Sequence, residues 1–131
     1  MMPLMRLLGI DYGTKRVGLA LGDETGTFAI PFAVWPNDSR LLTRLGELCR
    51  SRMVAKIVVG ESKDLHGQPN KIMPAIQKFV EELVRVSGVV VEYEPELFTS
   101  AQAERATGKR ELDARAATLI LQSYLDRTHA H

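Results

Sequence analysis

The stretch Gly9-Ile10-Asp11-Tyr12-Gly13-Thr14-Lys15-Arg16-Val17-Gly18-Leu19-Ala20 decides the fold. An apolar run from Leu4 to Ile10 stops at Asp11, and the chain breaks at Tyr12-Gly13-Thr14. A second run, Val17-Gly18-Leu19-Ala20-Leu21, then begins almost at once. Two strand-forming runs joined so tightly are antiparallel neighbours. After a polar turn from Gly22 to Gly26, Phe28-Ala29-Ile30-Pro31-Phe32-Ala33-Val34-Trp35 adds a third strand. Pro31 has no N–H to give a ladder, which places that strand at a sheet edge.

Beyond residue 36 the apolar period changes. Leu41, Leu42, Leu45, Leu48 and Cys49 recur at helical spacing, and Asn37, Asp38 and Ser39 offer caps for the helix start. Ala55-Lys56-Ile57-Val58-Val59-Gly60 reads as a strand buried on both faces. A polar loop from Glu61 to Asn70 leads to a second helix on Ile72, Ile76, Phe79, Val80, Leu83 and Val84, closed by Gly88. Val89-Val90-Val91-Glu92-Tyr93 makes a fifth strand. A short helix near residues 99–106 follows, then a polar break at Thr107-Gly108-Lys109-Arg110. A long helix from about Glu111 to Arg127 carries Leu112, Ala116, Leu119, Ile120 and Ser123 on one face. Right-handed crossovers make the later strands parallel to the first. The expected fold is α/β, a mixed five-stranded sheet in the order 3-2-1-4-5 with helices on its faces, in a single domain over residues 1–131.

Bulk composition fits an ordinary globular protein, with 45% hydrophobic and 25% charged residues. Net charge is only +1, from 17 Lys and Arg against 16 Asp and Glu, so charge by itself gives no sign of a nucleic-acid partner. Cys49 is the sole cysteine, which excludes an intrachain disulfide and a cysteine zinc site. The opening Met1–Arg6 is too short for a secretory signal, and a cytoplasmic location is expected.

Three carboxylates stand where open α/β sheets place ligands, outside the carboxyl ends of strands. Asp11 ends the first strand, Glu96 follows the fifth, and Asp113 opens the last helix. Singly, each has an ordinary reading: a turn former, a solvated acid, a charge favourable to the helix dipole. Together in one cleft they would repel unless cations neutralised them, and hard oxygen donors suit Mg²⁺ or Mn²⁺. Two such ions about 3.5–4 Å apart support phosphodiester hydrolysis. Gly13 and Gly18 would let backbone approach a phosphate. Lys15, Arg16, Lys63, Lys71, Lys109 and Arg110 would form a track for nucleic acid. His66 is a loop histidine, and Trp35 a packing residue at a strand end.

The 9–20 stretch resembles the opening of the YqgF family, bacterial RNase H-like nucleases described as maturing pre-16S rRNA or resolving Holliday junctions. Ile57-Val58-Val59-Gly60, Glu96-Leu97-Phe98-Thr99-Ser100 with Ala103-Glu104-Arg105, and residues 113–125 from Asp113-Ala114-Arg115 to Ser123-Tyr124-Leu125 continue the match. The resemblance implies an RNase H-like fold, divalent-metal catalysis, and Asp11, Glu96 and Asp113 as catalytic and metal-binding residues. It also implies a nucleic-acid substrate, pre-16S rRNA or branched DNA. No apolar run approaches the ~18 residues needed to span a bilayer, so no membrane is expected, and the chain is expected as a monomer or homodimer. Pro95-Glu96-Leu97 stands where the family usually has Asp-Glu-Arg, so Glu94 competes with Glu96 as the second acid. Two other functions fit the same topology. Nucleotide binding is one, since Asp-x-Gly-Thr hairpins also cradle phosphate in two-domain kinases and ATPases, although no Walker A motif is present. A non-catalytic ribosome-assembly factor is the other.

Overall fold

The computed structural model describes residues 6–62, 71–96 and 111–129; of Glu96, residues 111–113 and His129 it describes the backbone alone. Strands β1 (Arg6–Tyr12), β2 (Arg16–Gly22) and β3 (Ala29–Pro36) form the meander. Helix α1 (Leu41–Ser51), β4 (Val54–Ser62), α2 (Met73–Ser87), β5 (Val90–Glu96) and α3 (Glu111–His129) follow. The sheet order is β3-β2-β1-β4-β5, as the sequence pattern predicts. β1 pairs antiparallel with β2, placing Asp11 opposite Gly18, and parallel with β4, placing Ile10 opposite Val59. The helix expected near residues 99–106 lies outside the described residues.

Strand alternation sorts the side chains onto two faces. Leu8, Ile10, Leu19, Ile57 and Val59 meet α1 and α2 through Leu41, Leu45, Ile76, Phe79 and Leu83, forming the larger core. Ala20 and Val58 face the other way and meet Ala117, Ile120, Leu121, Tyr124 and Leu125 of α3. The arc of α3 differs from expectation. Leu119 is 48% exposed, while Ala117, Leu121 and Tyr124 are buried. The reason is at Gly9. A Cβ there would lie 2.7 Å from Leu121 Cβ and 3.0 Å from the Ala117 carbonyl oxygen. The helix therefore seats its small residues directly on the β1 backbone, and that contact sets its rotation.

Both edge strands contain proline, Pro31 and Pro36 in β3 and Pro95 in β5. The β2–β3 register shifts between Leu19 and Ala20, beside Pro31. The caps of α1 also differ from the sequence reading. The helix starts after Arg40 without a side-chain cap bond, and Asp38 Oδ1 instead accepts from the Arg40 N–H at 3.0 Å. Asn37 is committed elsewhere, to the β1–β2 turn.

Gly9→Ala should destabilise the fold by about 1–3 kcal/mol, the usual cost of forcing one carbon into a packed contact. Urea unfolding measures it, and a loss below about 0.5 kcal/mol would show that α3 does not rest on β1 as described.

Candidate metal and nucleic-acid site

Asp11 occupies the carboxyl end of β1 and is 6% exposed, one of two buried charged residues among those described. Its strand neighbour Gly18 adds no side chain beside it. Two residues earlier, Gly9 holds α3 against the same strand. The turn beyond Asp11 is fixed from both sides by Asn37, whose Nδ2 donates to the Gly13 carbonyl at 2.8 Å. The Asn37 backbone N–H donates to the Lys15 carbonyl at 2.9 Å. Sequence reading missed this role; the available signal was an asparagine directly after a strand end. Gly13 also serves the turn, because a Cβ there would meet the Arg16 carbonyl oxygen at 2.5 Å.

Glu96 is the last residue of β5, paired with Ser62 at the tip of β4 rather than beyond the strand. Asp113 is the third residue of α3, the helix that lies over the face opposite α1 and α2. The carboxyl groups of both lie outside the described side chains. Among the described residues, no three His, Cys, Asp or Glu side chains gather as a metal site. Lys15 is exposed, Arg16 half-buried, and Lys71 exposed next to the start of α2. Lys63, His66, Thr99, Lys109 and Arg110 lie outside the described residues.

Glu94, the competitor for the second acid, has another task. It is 4% exposed, and its carboxylate accepts from Ser123 Oγ at 2.8 Å and from the Arg127 guanidinium. A buried carboxylate needs such partners, since desolvation without them is costly. Close by on the same strand, Glu92 pairs with Lys56 Nζ at 3.0 Å and accepts from Tyr124 Oη at 2.9 Å, while Lys56 donates to Tyr124 Oη at 2.8 Å. These groups fasten the carboxyl-terminal half of α3 to β4 and β5. The acids of β5 thus divide: Glu92 and Glu94 hold the helix, and position 96 is left at the strand tip.

In its backbone the molecule has the RNase H-like fold. It resembles Thermus thermophilus RuvC in complex with a Holliday junction substrate, with a TM-score of 0.64, 14% identity, and coverage of 95% of this chain and 96% of that one. The fowlpox virus resolvase with Holliday junction DNA gives a TM-score of 0.59 at 13% identity, covering 95% and 99%. The model of the RuvX family, described as Holliday junction resolvase, matches residues 5–127. A relative from Anaplasma marginale is 36% identical over 132 residues, 92% of this chain and 84% of its own. One from Streptococcus sanguinis is 34% identical over 137 residues, 94% and 99% respectively. Both carry the name "Putative pre-16S rRNA nuclease". The chain belongs to the RuvX family, the YqgF family of the motif resemblance.

The Glu92 contacts have a pH signature. The Lys56 hydrogen bond, helped by Tyr124, holds the Glu92 carboxyl below its ordinary value of 4.5. Tyr124 and then Glu92 push Lys56 above its ordinary 10.5. A depressed carboxyl makes the unfolded chain bind more protons in acid, so this stabilisation is present above about pH 4.5 and is lost as pH falls through the lowered folded value. The raised Lys56 contributes below about pH 10.5 and loses its part only as pH rises through the folded value. Glu92→Gln should flatten the fall in stability below pH 4.5, measured by urea midpoints at stepped pH. An unchanged slope would remove Glu92 from the acid response.

Proposed function

We propose that this chain is a divalent-metal-dependent nuclease that hydrolyses phosphodiester bonds, processing the 5′ end of pre-16S rRNA in the cytoplasm. Asp11, Glu96 and Asp113 serve as the catalytic, metal-binding carboxylates. One observation carries the reading: the carboxylate of Asp11 is buried at the carboxyl end of the central strand, between a side-chain-free neighbour at Gly18 and a turn pinned by Asn37. A carboxylate held at the carboxyl end of a central strand is a hard oxygen donor of the kind divalent cations favour, at the place where open α/β sheets put their ligands. The relatives named for pre-16S rRNA match nearly the whole chain and supply the substrate class.

The donor set fits the ion. Carboxylate oxygens are the ligands Mg²⁺ and Mn²⁺ favour, and neither a thiol nor an imidazole is needed. When bound, the metal supplies Lewis acidity for activating water and offsetting charge on the departing oxygen. The remaining work belongs to the chain. Asp11 is held rigidly by β-pairing and by the Asn37-braced turn, so its oxygens are positioned before substrate arrives. Gly18 leaves the space beside it open to a phosphate. Lys15, Arg16, Lys63, Lys109 and Arg110 hold the strand through its phosphates, a role that sets register but not sequence. Residues 1–131 act as a single unit in this reading.

A second substrate is branched DNA, favoured by the family's description as Holliday junction resolvases. Cleavage of a precursor-rRNA mimic and of a four-way junction, each with Mg²⁺ or Mn²⁺, separates the two. Asp11→Asn should fall below about one hundredth of the wild-type rate while keeping its circular dichroism spectrum. Retention of more than about a tenth of the rate would remove Asp11 from the chemistry. Wild-type protein that binds RNA yet never cuts it would be an assembly factor.

A further inference from the structure

On the sheet face opposite α3, a cleft of about 430 Å³ opens between the start of α1 and the side of α2. Its lining includes Tyr12, whose ring packs on that of Phe79 with centroids 4.7 Å apart and planes tilted by 39°. Phe79 is buried beneath, whereas Tyr12 is half-buried and borders the open space. Asn37, Asp38 and Ser39 border it from the start of α1, and Lys78 and Glu82 from α2.

The chemistry of this lining is selective. Asp38 is paired with Arg40, which leaves Lys78 against Glu82 and no net positive charge to draw a phosphate. An aromatic ring backed by a second ring favours a flat, uncharged ligand, since base–aromatic stacking needs only a π-face. Carboxylates at the rim accept from exocyclic amino groups, the pairing they make with cytosine N4. The volume falls within the range of small-ligand sites.

Position supplies the second argument. Asp11 and Tyr12 are consecutive, their Cα atoms about 3.8 Å apart, and alternation sends their side chains to opposite faces of the same strand end. The Asp11 carboxylate and the Tyr12 ring therefore flank one strand end, so a nucleic-acid strand crossing that end passes both. We propose that the cleft receives one unpaired base of the nucleic-acid strand adjacent to the scissile phosphate. This rests on the nuclease reading above and adds to it a preference for substrates with a single-stranded step at the cut.

The probe is a hexanucleotide carrying one 5-iodocytidine, mixed with the full chain without metal, irradiated, digested and mapped by mass spectrometry. The crosslink is expected on the peptide containing Tyr12. Tyr12→Leu should weaken hexanucleotide binding at least about fivefold, the loss expected for one stacked base. Lys78→Ala, at an exposed helical position, provides a second variant whose folding is not at issue, and it should weaken binding by a smaller factor. Crosslinks confined to other peptides, or Tyr12→Leu protein that melts like wild type and binds as tightly, would overturn the proposal. Cleavage of a structured substrate without any Tyr12 crosslink would sink the base cleft and spare the nuclease reading. A Tyr12 crosslink with no cleavage under any divalent ion would do the reverse.

Discussion

The seat of α3 on the backbone of β1 at Gly9 is the contact on which the rest depends. Without a side chain at that position, Leu121 and Ala117 approach the strand more closely than any other residue would permit. The helix buries a broad arc of small and aliphatic residues there, and the strand end two residues away is held in place as a consequence. The opposite half of the helix is fastened differently, through Glu94 with Ser123 and Arg127, and Glu92 with Lys56 and Tyr124. One end of α3 rests on shape and the other on charge. Position 113 lies on the side of the helix seat away from the charged fastening, in the first turn.

The near-neutral composition takes on meaning once the cations are located. Arg44 lies over the Trp35 ring, 4.0 Å from its centroid, and Arg52 over Phe32 at 5.3 Å. Arg6 pairs with Glu24, and Arg40 with Asp38. These four arginines, among the described residues, are thus engaged with aromatics and local acids.

The meander, the sheet order and the two amphipathic helices were legible because each follows from local pattern. Short connections dictate antiparallel pairing, the crossovers dictate parallel pairing, and Pro31 declares an edge. The face of α3 was not legible, since its residues are apolar around much of the circumference and only the glycine on β1 decides which of them turn inward. Asn37 looked like a helix cap because asparagine suits both tasks, and its choice of the Gly13 carbonyl depends on a turn twenty-four residues earlier. The ambiguity between Glu94 and Glu96 had the same origin. Two acids two residues apart on one face of an extended chain are equivalent until a helix arrives with a serine and an arginine for one of them.

The prolines in β3 and β5 bear on the crowded conditions in which such a protein is made. An open sheet presents two unpaired margins, each a template on which a further strand of any origin can add. Here β3 contains Pro31 and Pro36 and β5 contains Pro95, and the β3 register is shifted beside Pro31. Proline and an irregular register both make a strand a poor template for a further one. Protection of the sheet margins in this fold is therefore partly a backbone property, independent of how the surface charges are arranged.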